Sequence, residues 1–279
     1  MKRPWLLSGL VVALMVAAWA WAARPTPLTV TFFDIGQGDA ALIRTPAHQN
    51  ILIDGGPDDR VAAKLGRALP WTDRTIDLVI LSHPHADHVT GLVPVLQHYH
   101  VGRVLMTGVL HTAPQYLEFL QLIKDKHIPV TIAQAGQHLA LAGGVTLDVL
   151  WPTVPYEGQT VPEIHVTTIV NQLRYGSTSV FFTGDLPAEE EGMLVASGTD
   201  LRAHILKVGH HGSRTSSSEA FIKAVAPPVA VISVGRRNQY GLPDEDVVAR
   251  LKRLVPQVFR TDQDGDVTFA YVADHWVRR

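Results

Sequence analysis

Four residues able to bind a metal crowd into six positions at His83-Pro-His85-Ala-Asp87-His88. The stretch before them, Ile76–Leu81, is apolar and β-rich and reads as a buried strand. A loop leaving such a strand can curl until its side chains converge. His83 and His85, two apart, can face one side; Asp87 and His88 follow as the chain enters the next helix. Imidazole nitrogen and carboxylate oxygen suit zinc, and also manganese or iron. The 279 residues include no cysteine, which excludes disulfides and thiolate sites and leaves any metal to His, Asp or Glu.

Other polar residues stand at the ends of apolar runs, where a site would be assembled. Asp54 closes Ile51–Ile53 ahead of two glycines, and Asp34 and Asp39 flank Ile-Gly-Gln-Gly. Each reads as a carboxylate that orients a ligand or as a turn cap. Gly184-Asp185 follows Ser179–Phe182, and His210-His211 follows His204–Val208. Ser213, Thr215 and Ser216 precede a helix, where hydroxyls and N–H groups can hold an anion such as phosphate or simply cap it. Asp262-x-Asp264-Gly265-Asp266 lacks the spacing and closing Glu of a calcium loop and reads as a hairpin turn. His98, His100, His111 and His138 have no partner pattern and read as surface or structural residues.

The elements that must position these groups come in two styles. Leu28–Asp34, Ala40–Arg44 and Ile51–Ile53 are short β-rich runs at close spacing, an antiparallel meander. Asp58–Leu69 carries Val61, Leu65 and Leu69 at helical spacing and stops at Pro70. Strands then alternate with helices: Ile76–Leu81, helix Val89–Gln97, Arg103–Met106, helix Pro114–Lys126, Val130–Ala133 and Val145–Leu150. The pair Thr168–Tyr175 and Ser179–Phe182 follows, then helix Pro187–Ala196, His204–Val208, helix Ser217–Val225, Val229–Val234 and helix Asp244–Leu254. Val258–Arg260 and Val267–Tyr271 read as a closing hairpin. The pattern predicts a mixed sheet covered by helices in one domain over residues 25–279.

Residues 1–24 read differently. Lys2 and Arg3 precede Trp5–Ala23, a charge-free run of 19 residues rich in small side chains at its end, and Arg24-Pro25 stops it. This is a signal peptide or, if uncleaved, an N-terminal membrane anchor, so the expected location is secreted, periplasmic or cell-envelope. Setting aside Lys2, Arg3 and Arg24 leaves 21 basic side chains against 26 acidic ones. That balance gives no support to a long nucleic-acid footprint held by phosphate contacts.

His-x-His-x-Asp-His after a strand resembles the signature of the metallo-β-lactamase superfamily. Phe33-Asp34-Ile-Gly-Gln-Gly-Asp39-Ala, Leu52-Ile-Asp54-Gly-Gly, Phe182-Thr-Gly184-Asp185, Leu206-Lys-Val-Gly-His210-His211-Gly-Ser213 and Ile232-Ser-Val-Gly-x-x-Asn238-x-Tyr240-Gly resemble one subgroup. That subgroup is the hydrolase-like domain of the ComEC competence proteins and its free-standing relatives. The resemblance covers roughly residues 28–271. It implies an α/β (α+β) fold, a four-layer αβ/βα sandwich with two mixed sheets and two divalent metal ions, zinc foremost and manganese as the alternative, at one edge. It also implies roles: His83 and His85 on the first metal, Asp87 and His88 on the second, Asp185 bridging. One of His210 and His211 completes the second site; His210, the first after the glycine, is favoured, which leaves His211 to substrate or to buried hydrogen bonding. His165, 20 positions before Asp185, matches a first-metal histidine of the superfamily where many ComEC-like domains carry an Asn-rich stretch. Asp54, Asp34 and Asp39 are expected behind the ligands, and His211, Ser213, Thr215, Asn238 and Tyr240 toward substrate. Relatives tend to show Tyr-Gly-His-Pro where this chain has Tyr240-Gly241-Leu242-Pro243, a change that bears on substrate more than on metal.

The expected activity is metal-dependent phosphodiester hydrolysis of DNA or a nucleotide, with Asp87 as the catalytic carboxylate. The link to DNA rests on analogy with the subgroup. A lactone, thioester or amide substrate at the same centre is the first alternative. A non-catalytic DNA- or partner-binding module is the second.

Overall fold

A computed structural model describes Met15 and residues 26–279. The N-terminal run 5–23 read as a signal or anchor lies outside the described residues, Met15 apart. No helix among the described residues is long and apolar enough to cross a membrane.

The chain opens with the meander β1 (Thr29–Phe32), β2 (Ala41–Arg44) and β3 (Asn50–Ile53), each antiparallel to the next. Helix α1 (Arg60–Ala68) leads to β4 (Thr75–Ile76) and β5 (Leu78–Ile80). The apolar run after the His-rich loop is two short helices, α2 (Ala86–Val89) and α3 (Leu92–His98), not one. They are broken at Gly91, which packs so tightly on the 54–58 turn that an added Cβ would lie 1.9 Å from the Gly55 carbonyl oxygen. Then come β6 (His100–Val101), β7 (Val104–Met106), α4 (Pro114–Asp125) and β8 (Val130–Ile132).

The second half holds β9 (His138–Ala140), β10 (Val145–Trp151), β11 (Val170–Tyr175), β12 (Thr178–Phe182) and α5 (Ala188–Ala196). It continues with β13 (Ile205–Lys207), α6 (Glu219–Val225), β14 (Val229–Ile232), α7 (Glu245–Leu254) and β15 (Gln257–Arg260). The chain ends in α8 (Thr261–Asp264), β16 (Val267–Val272) and β17 (His275–Arg278).

Among the described residues the strands form one sheet in the order β17-β16-β1-β2-β3-β5-β7-β8 and a second in the order β15-β14-β13-β12-β11-β10-β9, with β4-β6 a minor pair. Both large sheets mix parallel and antiparallel neighbours. Alternation along the strands builds the layers. Ile51 and Ile53 of β3 meet Val180 and Phe182 of β12 in the core between the sheets. Leu52 points the other way, onto Leu65, Leu92 and Phe119 of α1, α3 and α4. Phe181 likewise points outward, onto Leu194 and Phe221 of α5 and α6. Helix, sheet, sheet, helix is the four-layer αβ/βα sandwich expected.

The last hairpin differs from the sequence expectation. β15 runs parallel to β14 in the second sheet, whereas β16 pairs antiparallel with β1 in the first. The acidic stretch between them is no hairpin turn. It is the helical turn α8, fixed by the Asp264 carboxylate accepting from Arg260 N at 2.9 Å and by buried Thr261, whose hydroxyl accepts from Val234 N and donates to Val234 O. It carries the chain from one sheet to the other. The true closing hairpin is β16–β17, and β9 is a further strand too short and polar to be read from pattern.

Candidate metal centre

The ends of β5, β12, β13 and β14 bring together the loops that carry His83–His88, Asp185, His210-His211 and Ser233. His165 enters from a 3₁₀ turn, Ile164–Thr167, just before β11. Asp185 Oδ2 stands at the hub. His88 Nε2 lies 3.3 Å from it, His211 Nε2 3.4 Å, His210 Nε2 3.8 Å and His83 Nε2 3.9 Å. Asp87 Oδ2 is 3.2 Å from His211 Nε2. Ligand atoms each about 2 Å from one tetrahedral ion stand about 3.4 Å apart. The Asp87, His88, His211 and Asp185 atoms are already near that spacing. His83, His85 and His165 form a second cluster, and His165, Asp185 and His210 a third, with ligand atoms within 4.8 Å of one another.

Unmet polar atoms make the same case. His88 Nε2 and His211 Nε2 are buried with no hydrogen-bond partner. Orphaned buried polar atoms cost free energy, and their convergence fits a cation as the missing partner. The remaining ring nitrogens are engaged in ways that aim these atoms inward. The buried Asp54 carboxylate accepts from His88 Nδ1 at 2.8 Å and from Ser82 N and Oγ at 2.7 Å each. His211 Nδ1 donates to Ser233 O at 3.0 Å. Glu163 Oε1 lies 2.5 Å from His165 Nδ1. Carboxylate or carbonyl behind an imidazole fixes the tautomer whose far nitrogen can bind metal.

To complete the site of Asp87 and His88 the sequence favours His210, but the structure turns His211 inward. Both histidines have left-handed backbone, φ 47° and 53°, within the 3₁₀ turn Gly209–Gly212. That twist buries His211 against Asp87 and Asp185 and leaves His210 half-buried, 4.4 Å from the His165 ring between centroids. His210 Nδ1 lies 3.0 Å from Thr215 Oγ1, which in turn is 3.0 Å from Ser213 Oγ. The two hydroxyls expected to meet substrate therefore brace His210. Asn238 is likewise spent on its own loop, donating to Gly235 O and Leu242 O and accepting from Tyr240 N and Leu242 N. Tyr240 is 62% exposed at the rim of the cavity. Leu242 packs on the core beneath α7.

The three supporting aspartates separate. Asp54 stands directly behind His88. Asp39 Oδ1 faces His211 Nδ1 at 3.3 Å, and its carboxylate pairs with Lys207. It is delivered by Gly38, where φ of +131° and the Asp87 carbonyl 2.1 Å from any added Cβ exclude a side chain. Asp34 touches no ligand histidine and caps its own turn through Gly36 N at 3.4 Å. Ser82, Thr168 and Lys207 also belong to the centre and escaped the sequence reading. Thr168 Oγ1 lies 3.1 Å from His83 Nδ1 and accepts from Asp185 N at 3.3 Å. Of the histidines without a pattern, His111 comes 6.2 Å from His85, ring to ring.

The electrostatics divide the two clusters. Burial, followed by the nearby His88 imidazole, pushes His83 well below the usual histidine range. Burial and then His165 bring His85 down to about 4. For His88 and His211, burial is outweighed by the carboxylates around them, Asp185 first and then Asp54 for His88 and Asp39 for His211, which raise both well above the ordinary value. The first pair is therefore neutral and ready for a cation at mild pH, while the second pair holds protons that a cation must displace. We expect the site that holds His83 and His85 to fill at lower pH than the site that holds His88 and His211, whose filling releases protons. Titration calorimetry over a pH series in buffers of different protonation enthalpy checks this; equal, proton-neutral filling of both sites at every pH would contradict it.

The profile of the Metallo-beta-lactamase superfamily matches residues 33–236. The chain belongs to that superfamily. It is 27% identical to ComE operon protein 3 of Bacillus subtilis over 94% of its length and 30% identical to competence protein ComA of Neisseria gonorrhoeae over 96%. It spans 35% of the length of each of these two relatives. Among solved structures, the diiron β-hydroxylase CmlA of Streptomyces venezuelae shares the fold, with a TM-score of 0.58 at 14% identity over 88% of this chain and 54% of that one. This superfamily member thus has competence-protein relatives, a fold that implies divalent metal and His/Asp clusters able to hold it.

Proposed function

We propose that the protein is a dinuclear metal-dependent phosphodiesterase acting on DNA or nucleotides in the cell envelope or outside the cell. The observation that carries this reading is the cavity above the ligand cluster. It has a volume of about 1180 Å³, with His85, Asp87, His165, Asp185 and His210 among its lining residues; Arg236 and Arg237 line it too, and Arg60 is paired there with Asp58. A floor that gathers cations and a wall with guanidinium groups suit a substrate that is anionic at and around the scissile bond. The competence names of the relatives point the same way.

His83, His85 and His165 would hold one ion, Asp87, His88 and His211 the other, with Asp185 between them. When bound, such a pair supplies Lewis acidity and a water acidic enough to react near neutral pH. The chain's own residues do the rest. Asp54, Ser233 and Glu163 keep the imidazoles oriented. Asp87, with its side chain 27% exposed and facing the cavity, accepts a hydrogen bond from the attacking water and helps move its proton. Arg236 and Arg237 are placed to meet the non-bridging phosphate oxygens.

The test is hydrolysis of bis(4-nitrophenyl) phosphate and of single- and double-stranded DNA. EDTA is expected to lower the rate by about 100-fold or more, since several kcal/mol of charge stabilisation leave with the ions, and zinc or manganese to restore it. A chelator-sensitive lactonase or thioesterase without phosphodiesterase activity moves the proposal to the carbonyl substrates. No activity in any arm, from protein loaded with two ions, refutes the enzyme.

A further inference from the structure

Lys207 is a charged side chain only 3% exposed, at the end of a strand otherwise built from Ile205 and Leu206. A buried ammonium is expensive unless paired. It pairs with Asp39 from the opposite sheet, donates to Gly184 O at 3.5 Å and stands 3.9 Å from Asp185 Oδ1. The two oxygens of Asp185 therefore face different things. Oδ2 looks into the four histidines, while Oδ1, buried and without a hydrogen-bond partner, looks at Lys207.

We infer that Lys207 is a positioning residue: it holds the Asp185 carboxylate so that Oδ2 alone is presented to both metal positions. This rests on the two-metal reading above. The charge pattern supports it. Asp39, Asp54, Asp87 and Asp185 gather four carboxylates around the histidines. A fixed cation on the side away from the cavity draws Oδ1 toward itself and keeps the carboxylate from turning to chelate one ion with both oxygens. Because Lys207 and Asp185 come from the neighbouring parallel strand ends of β13 and β12, and Asp39 from the first sheet, the same contact ties the two halves of the sandwich beneath the centre.

The experiment is Lys207→Met, studied by metal content, metal titration and the electron paramagnetic resonance of the dimanganese form. The wild type is expected to bind two ions and to show spin-coupled manganese. The variant is expected to bind its second ion about 10–100-fold more weakly, the range for losing a group that orients a ligand, and to show uncoupled manganese at one equivalent. Lys207→Met strands the Asp39 charge, so Asp39→Asn/Lys207→Met is the companion. It removes both charges, and its metal-free form is expected to melt above that of the single variant while its second-site affinity stays below that of Asp39→Asn alone, the reference needed because Asp39 also faces His211. If the lysine merely neutralises Asp39, the double variant binds its second ion as Asp39→Asn does, and the inference falls. It falls too if Lys207→Met itself binds two ions as tightly as wild type. A wild type that never takes up two ions refutes the two-metal reading instead.

Discussion

Asp185→Asn is expected to lower kcat/KM for a phosphodiester by about 10³-fold or more and to reduce bound metal from two ions per chain to one or none. The substitution keeps shape and hydrogen-bonding size but removes the charge that all four surrounding imidazoles face. About 4 kcal/mol of transition-state stabilisation corresponds to that factor, and a carboxylate shared by two cations is responsible for at least that much of their charge balance. The metal-free protein is expected to lose stability as well. Asp185 is buried, and although burial works against its ionised form, His211 and His88 hold its pKa well below the carboxylate range. Its ionised form is therefore stabilised by folding at neutral pH, a contribution present above the unfolded carboxylate pKa and lost as pH falls through the depressed folded value. In the apo state Asp185→Asn strands the protonated His88 and His211, so its melting temperature at pH 7 should drop relative to wild type and the gap should narrow in acid. Wild-type activity with two bound ions in Asp185→Asn removes Asp185 from the centre.

How much of this was legible beforehand depends on how each residue is encoded. His83, His85, Asp87 and His88 announce themselves because their convergence needs only one loop after one strand. Asp185 and the His210-His211 pair sit 97 or more positions beyond His88, so spacing alone says nothing of their meeting and only the resemblance placed them. Ser82 and Thr168 are common residues with no pattern; their role appears only when the Asp54 and His83 atoms are in place. Lys207 did leave a signal, a lysine closing an apolar strand, but its meaning depends on Asp39 across the sandwich. The false final hairpin has a similar cause. Gln257–Arg260 and Val267–Val272 are adjacent β-rich runs, and nothing local says that α7 returns the first to β14 while β1 claims the second. Strand type is a local property, whereas sheet membership is settled by partners far along the chain.

His210 and His211 pose the sharpest case, because a turn decides between neighbours. His211→Ala is expected to remove the second ion and to cost about 10²–10³-fold in kcat/KM, whereas His210→Ala should keep two ions. The grounds are geometric. His211 Nε2 sits 3.2 Å from Asp87 and 3.4 Å from Asp185 with its other nitrogen anchored on Ser233 O. His210 is more exposed, faces the cavity and is braced by Thr215. Losing a ligand of a metal that activates water forfeits a few kcal/mol, hence the factor. His210→Ala instead removes a ring from the substrate's side of the centre, so its effect should fall on KM and kcat with metal content unchanged. The left-handed backbone at both positions makes the order of the pair matter. After His211→Ala the remaining His210 cannot take its place by rotating the turn, because Gly212 behind it is packed on Pro243, 2.6 Å from where a Cβ would stand. Metal analysis of the two alanine variants therefore separates the assignments: one ion in His210→Ala and two in His211→Ala would return the ligand role to the first histidine and reverse the geometry argued from the turn.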